Sequence, residues 1–101
     1  MLKPDFAFKQ TVIVQPYKGL TGTGKPIYAE PIEMKCRIEP STRKVIDAKG
    51  NEVIASGFIM LTAGTRLEAG SIIVWEGVRY SLIKLAPQYT FEESHVEGWL
   101  K

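Results

Sequence analysis

The sequence is poor in the residues that reactive chemistry most often needs. It has one cysteine, Cys36, and one histidine, His95, among 101 residues. A single thiol excludes an intrachain disulfide. Cys36 alternates with Ile32, Met34 and Ile38, the pattern of a small buried hydrophobe rather than a nucleophile. One histidine near Glu92, Glu93 and Glu97 falls short of a catalytic zinc site, which takes three protein ligands and commonly more than one His or Cys. No Ser/His/Asp or Cys/His set with a third member stands out, so His95 reads as an exposed strand residue and the chain as a non-enzyme without metal or cofactor. No apolar run nears 18 residues and no basic segment leads into an apolar one, so the expectation is a soluble product of a reducing cytoplasm with no membrane partner. Any apolar period of 3.6 residues lasting three turns is also missing, which argues against amphipathic helices.

Charge of one sign is scarce too. The net charge is +2, too small by itself to imply nucleic acid or an anionic membrane. It is unevenly spread: residues 1–50 carry nine Lys/Arg against five Asp/Glu, and residues 51–101 four against six. Such halves are compatible with a head-to-tail ring in which unlike surfaces meet, although a solvated scatter of charge is the plainer account. The length sets one domain, residues 1–101, and the apolar share of 45% supports a real but thin core.

What is there is strand after strand. A first candidate covers residues 6–17, with Phe8, Val12 and Val14 on one parity, and ends at Pro16. Residues 18–29, with Gly19, Gly22, Gly24 and Pro26, read as an extended loop. Ile32, Met34, Cys36 and Ile38 then alternate without error against Glu33, Lys35, Arg37 and Glu39, giving one buried and one wet face. From Pro40 to Glu52 the alternation lapses, and Gly50-Asn51 marks a turn. Residues 53–61 form an apolar strand with a bulge expected at Ser56-Gly57. Next comes a hairpin, residues 72–75 and 78–85 joined at Glu76-Gly77. After Pro87 a polar, aromatic loop leads to a last strand, 94–100, where Val96 and Leu100 oppose His95, Glu97 and Trp99. About six strands and no helix predict an all-β domain, a small antiparallel barrel or sandwich with long loops. Val12, Val14, Ile32, Met34, Cys36, Ile38, Ile59 and Leu82 are its expected core.

Two motifs need weighing. Residues 19–26, Gly-Leu-Thr-Gly-Thr-Gly-Lys-Pro, match a phosphate-binding loop except at the last position, where Pro26 replaces the hydroxyl residue that would hold Mg²⁺. The stretch Ile27-Tyr28-Ala29-Glu30-Pro31 cannot open the required helix, so no nucleotide site is expected. Trp75, Tyr80, Tyr89, Phe91 and Trp99 concentrate aromatics near the C-terminus. Their sequence neighbours Glu76, Glu92, Glu93 and Glu97 are acidic, which disfavours stacking on nucleic acid and makes Trp75, Tyr89, Phe91 and Trp99 candidates for a protein interface.

The order of these features resembles the head-closure proteins of tailed bacteriophages, also called stopper, head-tail joining or minor capsid proteins. The pieces that carry the resemblance are GLTGTGKPIYAEP, IEMKCRIEP, STRKVIDAKGNEVIASGFIML, GTRLEAGSIIVWEGVRYSLIKLAP and HVEGWLK, over residues 8–100. It implies a small β-barrel that assembles as a ring of roughly six or twelve copies. That ring would sit in the virion neck beneath the portal and adaptor proteins, close the DNA-filled head and receive the tail. The loop between the second and third main strands would project toward the channel and help to gate it. Here that loop is residues 40–53, with Arg43, Lys44, Asp47, Lys49, Gly50 and Asn51. Its basic residues would lie near packaged DNA without reading sequence. Residues 42–51 are then expected to be dispensable for folding. Two alternatives stay open: a tail-terminator or other neck protein, which usually adds a helix packed on its sheet, and a single-stranded nucleic-acid-binding β-barrel.

Overall fold

The computed structural model describes residues 9–47, 49–89 and 93–101, except the side chains of Tyr89, Glu93 and Ser94. They form eight strands: β1 (Gln10–Gln15), β2 (Tyr17–Leu20), β3 (Pro26–Tyr28), β4 (Ile32–Ile46), β5 (Glu52–Thr62), β6 (Ile72–Trp75), β7 (Val78–Tyr89) and β8 (Glu93–Leu100). Six of them close an antiparallel barrel in the order β1-β4-β5-β8-β7-β6, with β6 returning to β1, while β2 and β3 make a separate two-stranded sheet. Closure suits a chain of this size because it leaves few unpaired strand edges. The β6–β7 turn obeys its sequence signal: Glu76 and Gly77 both have positive φ, the geometry of a two-residue turn that matches strand twist.

The barrel interior is filled by Val12, Val14, Cys36, Ile38, Ile59, Leu61, Ile73, Leu82, Val96 and Leu100, all nearly or fully buried. Gly98 faces inward between Val96 and Leu100. A Cβ there would lie 2.9–3.1 Å from Leu85, Ile59 and Leu82. Two expected core residues differ. Ile32 is 44% exposed because β4 has only begun at the barrel rim, and Met34 is half-buried, packed on the core from its margin.

Two register shifts explain where the alternation in the sequence fails. Pro40 pairs with Gly57 but Arg43 with Ala55, so Ser41 and Thr42 together oppose Ser56. This bulge moves the inward parity of β4 from even (Cys36, Ile38) to odd (Val45). The bulge expected at Ser56-Gly57 therefore lies in the partner strand, and β5 runs unbroken. In β7 the shift falls between Leu82 and Lys84; Leu82 faces the main core, Ile83 is buried elsewhere, and Leu85 returns to the core. β7 also continues through Pro87 to Tyr89, where a loop was expected. β6 pairs only as far as Ser81, so Pro87 sits on a stretch with one neighbour, where a missing N–H is tolerated.

Candidate functional site

The segment expected to project, residues 40–53, is mostly strand. β1 stops pairing with β4 at Cys36, and the Gln10 side-chain amide bonds both the N–H and the C=O of Ile38 at 2.9 Å, ending that ladder. Before Gly57, β5 has no partner except β4. Residues 43–46 and 52–55 therefore leave the barrel as a two-stranded arm. The overall extents of 48 × 29 × 26 Å record an elongated molecule.

The base of this arm packs on the barrel strands β7 and β8, so residues 42–51 contribute buried surface through Val45. Val45, Ala55 and Ile83 are buried together, with Val53 and Trp99 packed against them. Arg43 lies over the Trp99 ring, 5.1 Å from its centroid, and Phe58 packs on the same indole at 4.8 Å. Lys84 is the cross-strand neighbour of Trp99. Trp99 thus braces the base of the arm, among basic neighbours the linear sequence did not place beside it. Lys44 reaches Glu52 at 3.9 Å across the exposed face, a contact of little energetic weight.

The tip is a closed turn. Asp47 N–H donates to the Asn51 carbonyl at 2.8 Å and Gly50 N–H to the Asp47 carbonyl at 3.1 Å. The Asp47 carboxylate accepts from the N–H groups of Lys49 and Asn51, each at 2.9 Å. Gly50, with φ 87°, supplies the left-handed residue; Asn51 does not share that role. Arg43, Lys44, Asp47, Lys49, Gly50 and Asn51 therefore occupy one arm, but Arg43 is held at its base while Asp47 and Lys49 reach its end.

The interface candidates do not converge. Trp75 packs against the main core from its margin, Trp99 braces the arm, and Tyr89 ends β7 opposite Glu93. Phe91 lies outside the described residues. His95 is not an exposed residue: its side chain is 20% accessible and its Nε2 is 2.9 Å from Glu97. Among the described residues no three His, Cys, Asp or Glu side chains come together as metal ligands. Burial pushes the Cys36 thiol up to a pKa of about 11, which leaves it a poor nucleophile.

The stretch resembling a phosphate loop is the turn of the β2–β3 hairpin, with the Thr21 N–H bonded to the Lys25 carbonyl at 2.7 Å, and the chain leaves Lys25 as strand rather than helix. The hairpin is pinned to the barrel by Ser71, fully buried, whose hydroxyl donates to the Glu68 carbonyl at 2.8 Å and accepts from Tyr17 N–H at 2.9 Å. Gly70 takes a left-handed φ of 95° beside the Tyr17 ring, a backbone conformation that favours glycine. Between this hairpin and the arm lies a groove of about 540 Å³. Tyr17, Tyr28, Asp47, Lys49, Ser81 and Lys101 line it above an apolar floor that includes Ile72 and Ile83. The two tyrosines meet edge to face at 5.9 Å. This groove was not foreseen. Only the Tyr17–Tyr28 pairing across the glycine-rich turn could have hinted at it. Neither protein-family models nor characterised proteins offer a match to this chain.

Proposed function

We propose that the chain is a structural protein of the tailed-phage neck. In this reading it is made in the host cytoplasm, assembles as a ring at the head-tail interface, closes the filled head and gives the tail its platform. Its partners are then further copies of itself, the portal or adaptor proteins and the tail. The observation that carries the reading is the arm: a charged hairpin tip held on a stiff apolar base by a small closed barrel. A ring subunit needs such a rigid body with one projecting element and no reactive group. The arm also falls on the segment that the resemblance assigns to the channel. The all-strand character of the described residues favours head closure over a tail terminator, whose sheet usually carries a helix.

Native mass spectrometry of the purified chain tests the assembly, with a closed ring expected and a strict monomer at every concentration counting against it. In the virion, replacing the tip residues 47–51 by a two-residue turn should yield heads that lose packaged DNA. Heads that keep their genome would remove the gating role.

A further inference from the structure

One wall of the barrel carries a self-complementary row of side chains. Val12, Val14 and Ile73 are buried inside, so Ile13 on β1 and Val74 on β6 point outward, as does Arg79 beside the core-packed Tyr80. On β4, Cys36 faces the core, which turns Glu33 and Lys35 to the outside. The registers join these residues across four strands: Glu33 pairs with Ile13, Ile13 with Val74, and Val74 with Arg79. The row therefore reads acid, apolar, apolar, base, with Ile13 37% exposed near its middle. Lys35 lies two residues beyond Glu33, and Glu76 lies two beyond Val74, in the β6–β7 turn. A second pair of opposite signs thus flanks the first. All four charged side chains are exposed, and among the described residues none has an ion-pair partner. The opposite wall differs, because its charges pair within the chain: Arg37 reaches Glu39 at 3.7 Å, and His95 Nε2 lies 2.9 Å from Glu97.

We propose that the β4-β1-β6-β7 wall is a contact between two copies of the chain, related by a two-fold axis parallel to the strands and passing between Ile13 and Val74. Such an axis sets Glu33 of each copy opposite Arg79 of the other. It brings Lys35 of each toward Glu76 of the other, while the apolar residues meet in the middle. The four charges have no pairing inside one chain and find one when the wall faces itself. The row spans three strand spacings, roughly 14 Å, which is small for a permanent dimer, so the pairing is reversible. A surface that meets its own copy closes at two chains. The contact therefore goes beyond the ring reading above, in which neighbours meet through unlike surfaces.

The test compares the native protein with Glu33→Arg, Arg79→Glu and the double variant Glu33→Arg/Arg79→Glu by sedimentation velocity up to millimolar concentration. A reversible dimer is expected of the native chain. Each single variant sets like charges against each other at both ends of the contact and should raise the dissociation constant about tenfold or more. The double variant restores opposite signs, and dimerisation should return, which also shows that the reversed charges leave the fold intact. Ile13→Lys places two ammonium groups beside the axis and should abolish the dimer with an unchanged Tm, since the side chain faces solvent in the single chain. If either single variant pairs as well as the native protein, this contact is wrong, and any ring that still forms leaves the ring reading intact. A double variant as weak as the singles overturns the pairing of Glu33 with Arg79. A native protein that is monomeric at every concentration overturns the contact and counts against the ring as well.

Discussion

Val45→Ala tests whether the arm belongs to the cooperative fold. Val45 is 6% exposed and sits with Ala55 and Ile83 in the small cluster at the arm base. Truncation removes two buried methyl groups. At about 0.8 kcal/mol per buried carbon plus a cavity left behind by rigid strands, the cost is about 1.5–2.5 kcal/mol. For a domain of this length that lowers Tm by roughly 6–20 °C. The neighbouring Ile46 is 47% exposed on the opposite face. Ile46→Ala sacrifices the same β-branched character with little burial, so about 0.5 kcal/mol or less is expected. Thermal unfolding monitored by circular dichroism, at one fixed concentration because assembly itself shifts Tm, reads both. Equal shifts for the two variants would mean that the arm frays independently of the barrel. The stiff-base argument for a projecting element would then fail.

The packing sets three further outcomes. Gly98→Ala should destabilise by about 1–3 kcal/mol in urea unfolding, because its Cβ meets the branched Ile59 side chain at 3.0 Å as well as two leucines; an unchanged midpoint would mean the barrel interior has slack. Ser71→Ala leaves the Tyr17 N–H without its acceptor and should cost about 1–3 kcal/mol, with exchange of that amide accelerated more than amides inside the barrel. Cys36 should resist iodoacetamide at pH 8 in the folded protein and react once urea unfolds it. Its folded pKa is raised to about 11 from an ordinary 9.0, so the unfolded state loses its proton first. Stability from this group is therefore intact below about pH 9 and falls as pH rises toward 11, which alkaline unfolding of the native protein against Cys36→Ala would register.

Much of the barrel was legible because alternation at period two is a local property. Val12 and Val14, Cys36 and Ile38, and Val96 and Leu100 each announced the buried face of a strand from their spacing alone. The arm was harder to read. A bulge at Ser41-Thr42 shifts the inward parity by one residue, so Val45 looks out of phase with Ile38 although both are buried. The same holds for Ile83, whose burial beside Leu82 breaks the rule that the rest of β7 obeys. Pro87 read as a terminator, since nothing local reveals that this stretch of β7 has a neighbour on one side only.

The residues by themselves determined the all-β class, the strand faces, the Glu76-Gly77 turn and the inert character of Cys36. These depend on spacing, side-chain type and backbone preference, which neighbouring residues are enough to express. Closure into a six-stranded barrel was decided only by tertiary structure, and so were the placing of Arg43 over Trp99 and the meeting of Tyr17 and Tyr28 with Lys49 and Lys101. Each joins segments distant in the chain, and their approach is set by register and by where a single extra residue enters a strand. A one-residue insertion carries almost no signature in composition or periodicity, yet it turns one side chain from water to core and redirects everything beyond it.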